Sequence, residues 1–257
     1  MIKQIDDKGH ATCHCDICGC DFDFGKLPDD GDLFAGLIRQ KAEAAICPQC
    51  EARALAVNEA RKIQEQKDRL AATLHDRVLA AGIAPRFAAL DKPWVRPAAE
   101  WLWHHRNGSL LLAGPTGTGK TSGAAFVLRL MMAEKYLNVR YHTRQSLVAA
   151  YVRAKCDDEG REGAFYARMD KVDVLVIDEM VGKKGSGRLS DSSQEMLFNL
   201  VDGVYSQVRK TRVWILGNFY AGAIDDLVDD PAPLKRRLAD SFALGWVDGQ
   251  KVEQIAL

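Results

Sequence analysis

No apolar run in this 257-residue chain approaches the length of a membrane-spanning helix. The first residues, Met1-Ile-Lys-Gln-Ile-Asp-Asp, also lack the basic-then-apolar layout of a secretion signal, so no membrane is expected among its partners and the expected location is the cytoplasm. Net charge is missing too: 35 Lys and Arg balance 35 Asp and Glu. A neutral chain has no global attraction to polyanions, so any nucleic-acid surface must be local. Cysteine nearly vanishes beyond residue 50, where only Cys156 remains of the seven. Six clustered thiols in a reducing compartment exclude a disulfide scaffold and point to metal. Between Glu51 and Ala81 there is neither proline nor glycine. Nothing there breaks a helix. What is abundant is apolar residues, 47% of the chain, enough for a proper buried core.

Gly114-Pro115-Thr116-Gly117-Thr118-Gly119-Lys120-Thr121 follows the apolar run Ser109 to Ala113 and precedes a helix-like stretch. This is the GxxxxGKT pattern in the setting a phosphate-binding loop needs. Its glycines permit a tight loop whose backbone N–H groups surround phosphate oxygens; Lys120 neutralises the outer phosphates and Thr121 can ligand a magnesium ion. ATP and Mg2+ are the expected cofactors.

Cys15-Asp-Ile-Cys18 and Cys47-Pro-Gln-Cys50 each place two thiolates within reach of one tetrahedral ion. They predict a structural Zn2+ site on Cys15, Cys18, Cys47 and Cys50, with Cys13 and Cys20 as competitors for ligand duty. Residues 1–50 carry nine acidic residues against five basic ones. A zinc tetrathiolate adds negative charge, so protein docking is expected of this segment rather than contact with phosphate backbones. The chain divides on this reading into a zinc-binding docking module over 1–52, a helical connector over 53–82 and an ATPase domain over 83–257. On the connector, Leu55, Ile63, Leu70 and Leu74 fall on one side of a helical wheel.

Beyond Gly82-Ile-Ala-Pro-Arg-Phe87, strand-like and helix-like segments alternate, which predicts an α/β fold with a parallel sheet. Strands are expected near 109–113, 138–143, 173–178, 212–217 and 242–247, and helices near 120–135, 144–154 and 192–208. Asp173-Val-Leu-Val-Ile-Asp178-Glu179 delivers two carboxylates at the end of an apolar strand. Asp178 is suited to hold magnesium through water, and Glu179 to polarise an attacking water. The strand from Arg212 to Gly217 ends at Asn218, a candidate sensor of the γ-phosphate. Pro233-Leu-Lys-Arg236-Arg237-Leu238 offers a candidate arginine finger. Lys183, Lys184 and Arg188, in a glycine-rich loop, are candidates for single-stranded phosphates; Tyr205, Phe219 and Tyr220 are read as core aromatics rather than base-stacking residues.

The order of these motifs resembles the AAA+ ATPases of the DnaC helicase-loader and IstB type, from about Ala81 to the C-terminus. The cysteine pairs followed by a helix resemble the helicase-binding domains of DnaI-like loaders. The resemblance implies a P-loop AAA+ core and catalytic roles for Glu179, Asn218 and Arg237, with Arg236 in reserve. It also implies a replicative DnaB-type helicase and single-stranded DNA as partners, and an ATP-dependent homo-oligomer. The alternatives are an IstB-like transposition helper on duplex DNA and an ATP-binding scaffold with little turnover. Two departures bear on coupling: Val204 stands before Tyr205 where the family has arginine, and Gly217 stands before the sensor where it has serine or threonine. The 16 residues after Ser241 are too few for a helical lid.

Overall fold

The computed structural model describes residues 1–28, 34–88, 92–156, 161–179, 189–218, 224–225 and 228–256. Two compact units result, Met1–Asp68 and Arg69–Leu257. The candidate DNA loop with Lys183, Lys184 and Arg188, and the aromatics Phe219 and Tyr220, lie outside the described residues.

The first unit is an antiparallel meander of β1 (Ile2–Ile5), β2 (His10–His14) and β3 (Asp21–Lys26), followed by α1 (Ala35–Glu43). Its core is small: Ala11, Cys13, Leu27 and Ala42 are buried, with Phe22, Phe24 and Ile38 packed against them. So little apolar burial is marginal for independent folding, which is where a metal crosslink has most effect.

The next helix, α2, runs from Pro48 to Ala80. It begins before the expected connector, because Pro48 has the backbone angle of a first helical residue and Cys47 supplies the cap. The Cys50 N–H donates to the Cys47 sulfur at 3.4 Å, and the Glu51 N–H to the Cys47 carbonyl at 3.0 Å. The expected apolar stripe is only half used: Leu70 is buried, whereas Leu55 and Ile63 stay exposed.

The second unit holds a six-stranded sheet. Its strands are β4 (Ser109–Ala113), β5 (Val139–Thr143), β6 (Val174–Asp178), β7 (Arg212–Gly217), β8 (Phe242–Val247) and β9 (Val252–Gln254), in the order β5-β6-β7-β4-β8-β9. All pairings are parallel except β8 with β9. Parallel strands buried on both faces read as continuous apolar runs, as β4 and β6 do. Successive side chains alternate between two cores. Leu111, Leu175, Ile177, Val213 and Ile215 enter one, with α6 (Arg144–Cys156), α7 (Arg161–Met169), α8 (Asp191–Tyr205) and α9 (Pro231–Ser241). Leu110, Leu112, Val174, Val176, Trp214 and Leu216 enter the other, with the short α3 (Pro85–Ala88), α4 (Arg96–His104) and α5 (Lys120–Glu134). The five expected strands and three expected helices are all present; α3, α4, α7, α9 and β9 are additions among the described residues.

Candidate functional site

The C-terminal ends of β4, β6 and β7 converge because β7 lies between the other two. The phosphate loop leaves β4, Asp178 closes β6, and Asn218 follows β7. A cavity of about 240 Å³ opens there, lined by Thr116, Gly117, Thr118, Gly119, Lys120, Thr121, Asp178, Glu179 and Asn218. Gly114 and Pro115 enter this site through their carbonyls.

Two glycines are dictated by close approach. A Cβ on Gly114 would lie 2.1 Å from the Val247 carbonyl oxygen, and one on Gly119 2.7 Å from that of Trp94. Gly119 also has φ +87°, a left-handed conformation that caps the start of α5.

Lys120 is 6% exposed. Its ammonium donates to the carbonyls of Gly114 (2.8 Å) and Pro115 (2.7 Å) and to the Thr118 hydroxyl (3.2 Å). Burial lowers its pKa to about 8, while the Asp178 carboxylate acts weakly in the other direction. A buried cation ringed by neutral oxygens is under-compensated, and phosphate oxygens supply the negative charge it lacks. The donor set therefore fits a polyphosphate.

Asp178 is buried and held by three donors. Its Oδ2 accepts from the Thr121 hydroxyl at 2.8 Å and from the Tyr141 hydroxyl at 2.6 Å; its Oδ1 accepts from the Glu179 N–H at 2.8 Å. Thr121 and Asp178 thus share one point beside the phosphate loop, the placement a magnesium ion between hydroxyl and carboxylate requires. Glu179 is exposed at the cavity and has φ 54°, rare for a residue with a side chain. Asn218 lines the same cavity, half-buried.

Three lining or supporting residues were not singled out from sequence. Phe87 and Trp94 border the cavity, and Tyr141 touches Asp178. Phe87 closes the Gly82–Phe87 segment noted before the core, but neither aromatic carries a spacing that announces a site. Tyr141 would require knowing that β5 pairs with β6.

Arg237 is not among the residues lining this cavity. It sits on α9, its Nε 3.1 Å from Asp202 Oδ1 on α8, and borders a separate hollow of about 450 Å³ with Tyr205, Asp230 and Arg236. Arg236 is exposed, 3.8 Å from Asp240 one turn on.

In the first unit, the Sγ atoms of Cys15, Cys18, Cys47 and Cys50 all lie within 4.8 Å of one another, close enough to hold a metal ion. The first pair sits on the tight β2–β3 turn, closed by Cys15 N–H to Cys20 carbonyl (2.9 Å) and Gly19 N–H to Cys15 carbonyl (2.8 Å). The second pair sits on the first turn of α2, whose positive end favours thiolates. Backbone N–H groups of Cys47 and Cys18 pull the Cys15 thiol down to about 6, whereas Cys50 is pushed up, chiefly by its contacts with Cys18 and Cys47. Four sulfurs this close ionise together only around a cation. Cys13 instead packs in the core and donates to the Ala42 carbonyl at 3.3 Å, while Cys20 is exposed with its sulfur 3.2 Å from that of Cys18.

Among the described residues no helix is long and apolar enough to cross a membrane. Among solved structures, the fold is similar to the crystal structure of the DnaC helicase loader: 18% identity over 64% of this chain and 100% of that one, TM-score 0.46. It is also similar to DnaI, with 14% identity over 60% of this chain and 81% of that one, TM-score 0.42. AMPPCP-bound DnaA from Aquifex aeolicus is 16% identical over 63% of this chain and 50% of its own length, TM-score 0.47. No curated protein matches the chain. The family model of the IstB-like ATP binding protein matches residues 50–232, taking in the phosphate loop, β6 and β7. This meets the resemblance to DnaC/IstB-type AAA+ ATPases drawn from motif order, and the chain belongs to the family of IstB-like ATP binding proteins.

Proposed function

We propose that this chain is an ATP-dependent loader that binds a replicative helicase and delivers it onto single-stranded DNA. The observation that carries this reading is the joining of an ATP site to a separate, acidic four-cysteine unit whose first 49 residues lie outside the matched ATP-binding segment. Acidic residues outnumber basic ones there, and a tetrathiolate site deepens that charge, so its natural partner is protein rather than nucleic acid. The DnaC relative is a helicase loader by description, which agrees with this reading.

In this reading Lys120 leaves its carbonyl partners to engage the outer phosphates, and Thr121 with Asp178 holds Mg2+. Magnesium, when bound, neutralises charge on the phosphate oxygens. Glu179 accepts a proton from the attacking water at its carboxylate, Asn218 orients that water, and Trp94 and Phe87 shelter the base. Arg237 acts on the nucleotide of a neighbouring subunit in an ATP-dependent homo-oligomer, which requires exchanging Asp202 for phosphate. Cys15, Cys18, Cys47 and Cys50 hold Zn2+, tying the β2–β3 turn to the start of α2. Four thiolates close that site to substrate, so its role is structural. All of this proceeds in the cytoplasm.

A second reading is favoured by the family match itself: a transposition helper of the IstB kind, acting on duplex DNA. One experiment separates the two. The cognate hexameric helicase, single-stranded DNA coated with its binding protein, and ATP are mixed with and without this chain, and unwinding is scored. Stimulation that disappears on deleting residues 1–50 supports the loader. No stimulation and no helicase complex, with duplex DNA raising ATP turnover instead, overturns it in favour of the transposition helper.

A further inference from the structure

We propose that Tyr141 is a positioning residue for the metal–nucleotide site, fixing the Asp178 carboxylate through its hydroxyl while its own backbone is anchored by the turn after α2. The side-chain half of the argument is the 2.6 Å hydrogen bond from Tyr141 to Asp178 Oδ2, the same oxygen that accepts from Thr121. Thr121 must turn its oxygen toward a cation to serve as ligand, so it is a poor permanent anchor for the carboxylate. The phenol has no such competing duty.

The backbone half lies on the outer edge of the sheet. β5 is an edge strand, and its free side is covered by the chain leaving α2. The Tyr141 N–H donates to the Ala81 carbonyl at 2.7 Å, and the neighbouring Arg140 guanidinium donates to the Ala80 carbonyl at 2.8 Å. Gly82 follows at φ +86°, so close that a Cβ there would stand 2.7 Å from the Tyr141 carbonyl oxygen. Tyr141 is therefore clamped at its main chain by Ala81 and Gly82, and at its hydroxyl by Asp178. A carboxylate held from a rigid strand presents its free lone pairs in one direction, which a hydrated cation needs.

The inference rests on the reading of Asp178 as the magnesium-holding carboxylate, and the test separates the two. Binding of mant-ADP to the full chain is measured by fluorescence across a Mg2+ titration for wild type, Tyr141→Phe and Asp178→Asn, with melting temperature recorded for each. Tyr141→Phe keeps the ring but loses the bond to the buried Asp178 carboxylate, so it melts a few degrees earlier than wild type; its affinity without Mg2+ stays within about twofold, while half-saturation moves to about tenfold higher Mg2+. An unchanged or tighter Mg2+ response in Tyr141→Phe, with Asp178→Asn shifted, overturns the role of Tyr141 alone. A Tyr141→Phe protein that loses Mg2+-free binding in the same proportion has only a structural tyrosine, which also overturns it. An unchanged response in Asp178→Asn removes the metal reading of Asp178, and the inference with it.

Discussion

Replacing Lys120 by methionine should stabilise the nucleotide-free protein while abolishing nucleotide binding. Lys120 is 6% exposed as a residue, and burial lowers its pKa from 10.5 to about 8. That difference corresponds to about 3 kcal/mol against the charged folded form. Methionine has nearly the same shape but gives up the bonds to Gly114, Pro115 and Thr118. Neutral hydrogen bonds contribute about 1 kcal/mol each, and acceptors facing the cavity recover part of that from water. The net expectation at pH 7 is a gain of about 1 to 2 kcal/mol, or roughly 4 °C in the melting of the second unit. The pH dependence distinguishes this cause from better packing. Below pH 8 lysine is charged in both folded and unfolded chains, and the full penalty is present. From pH 8 to 10.5 the folded chain gives up its proton first, so wild-type stability rises and the gap to the variant closes. Urea unfolding across that range is the assay. With nucleotide at a hundred times its Kd, only wild type should gain about 2.7 kcal/mol. A variant less stable than wild type at pH 7, or a gap that ignores pH, would refute the reasoning.

Glu179→Gln should keep nucleotide affinity within about twofold and lower steady-state turnover by about 10² to 10⁴, because the amide takes no proton from water; wild-type turnover would end its assignment as base. Metal analysis should find one zinc per chain, retained by Cys20→Ser and lost by Cys18→Ser. A strong chelator should unfold the first unit and leave the melting of the second where it was. Zinc lost with Cys20 instead would redraw the ligand set.

Much of the ATP site was legible because its chemistry is local. Gly114 to Thr121 is one contiguous loop, and the apolar run into Asp178 announces both a buried strand and the carboxylate at its end. Asn218 was reached through motif order rather than any spacing pattern, and it is β7 lying between β4 and β6 that brings it to the cavity. What stayed hidden depends on which strands are neighbours. The aromatic ring of Tyr141, on an alternating strand, reads as ordinary core until β5 is paired with β6. In the cysteine-rich segment the two CxxC pairs were visible, but the rank of Cys13 was not. Its burial follows from the inward register of β2, a property of three short strands whose apolar alternation is faint. The start of α2 was placed late, since a cysteine sulfur rather than serine or aspartate caps it.

Glu179 stands at φ 54°, where glycine, asparagine or aspartate rests with less strain than a longer side chain. A fold judged on stability alone would choose another residue at the end of β6, at an advantage of about 1 kcal/mol. If Glu179 is the base proposed above, selection for a sturdier protein and selection for a working one pull in opposite directions at this position. A stabilisation campaign that ranks substitutions by folding energy should find Glu179→Gly among its gains and, on the proposed role of Glu179, lose turnover by accepting it.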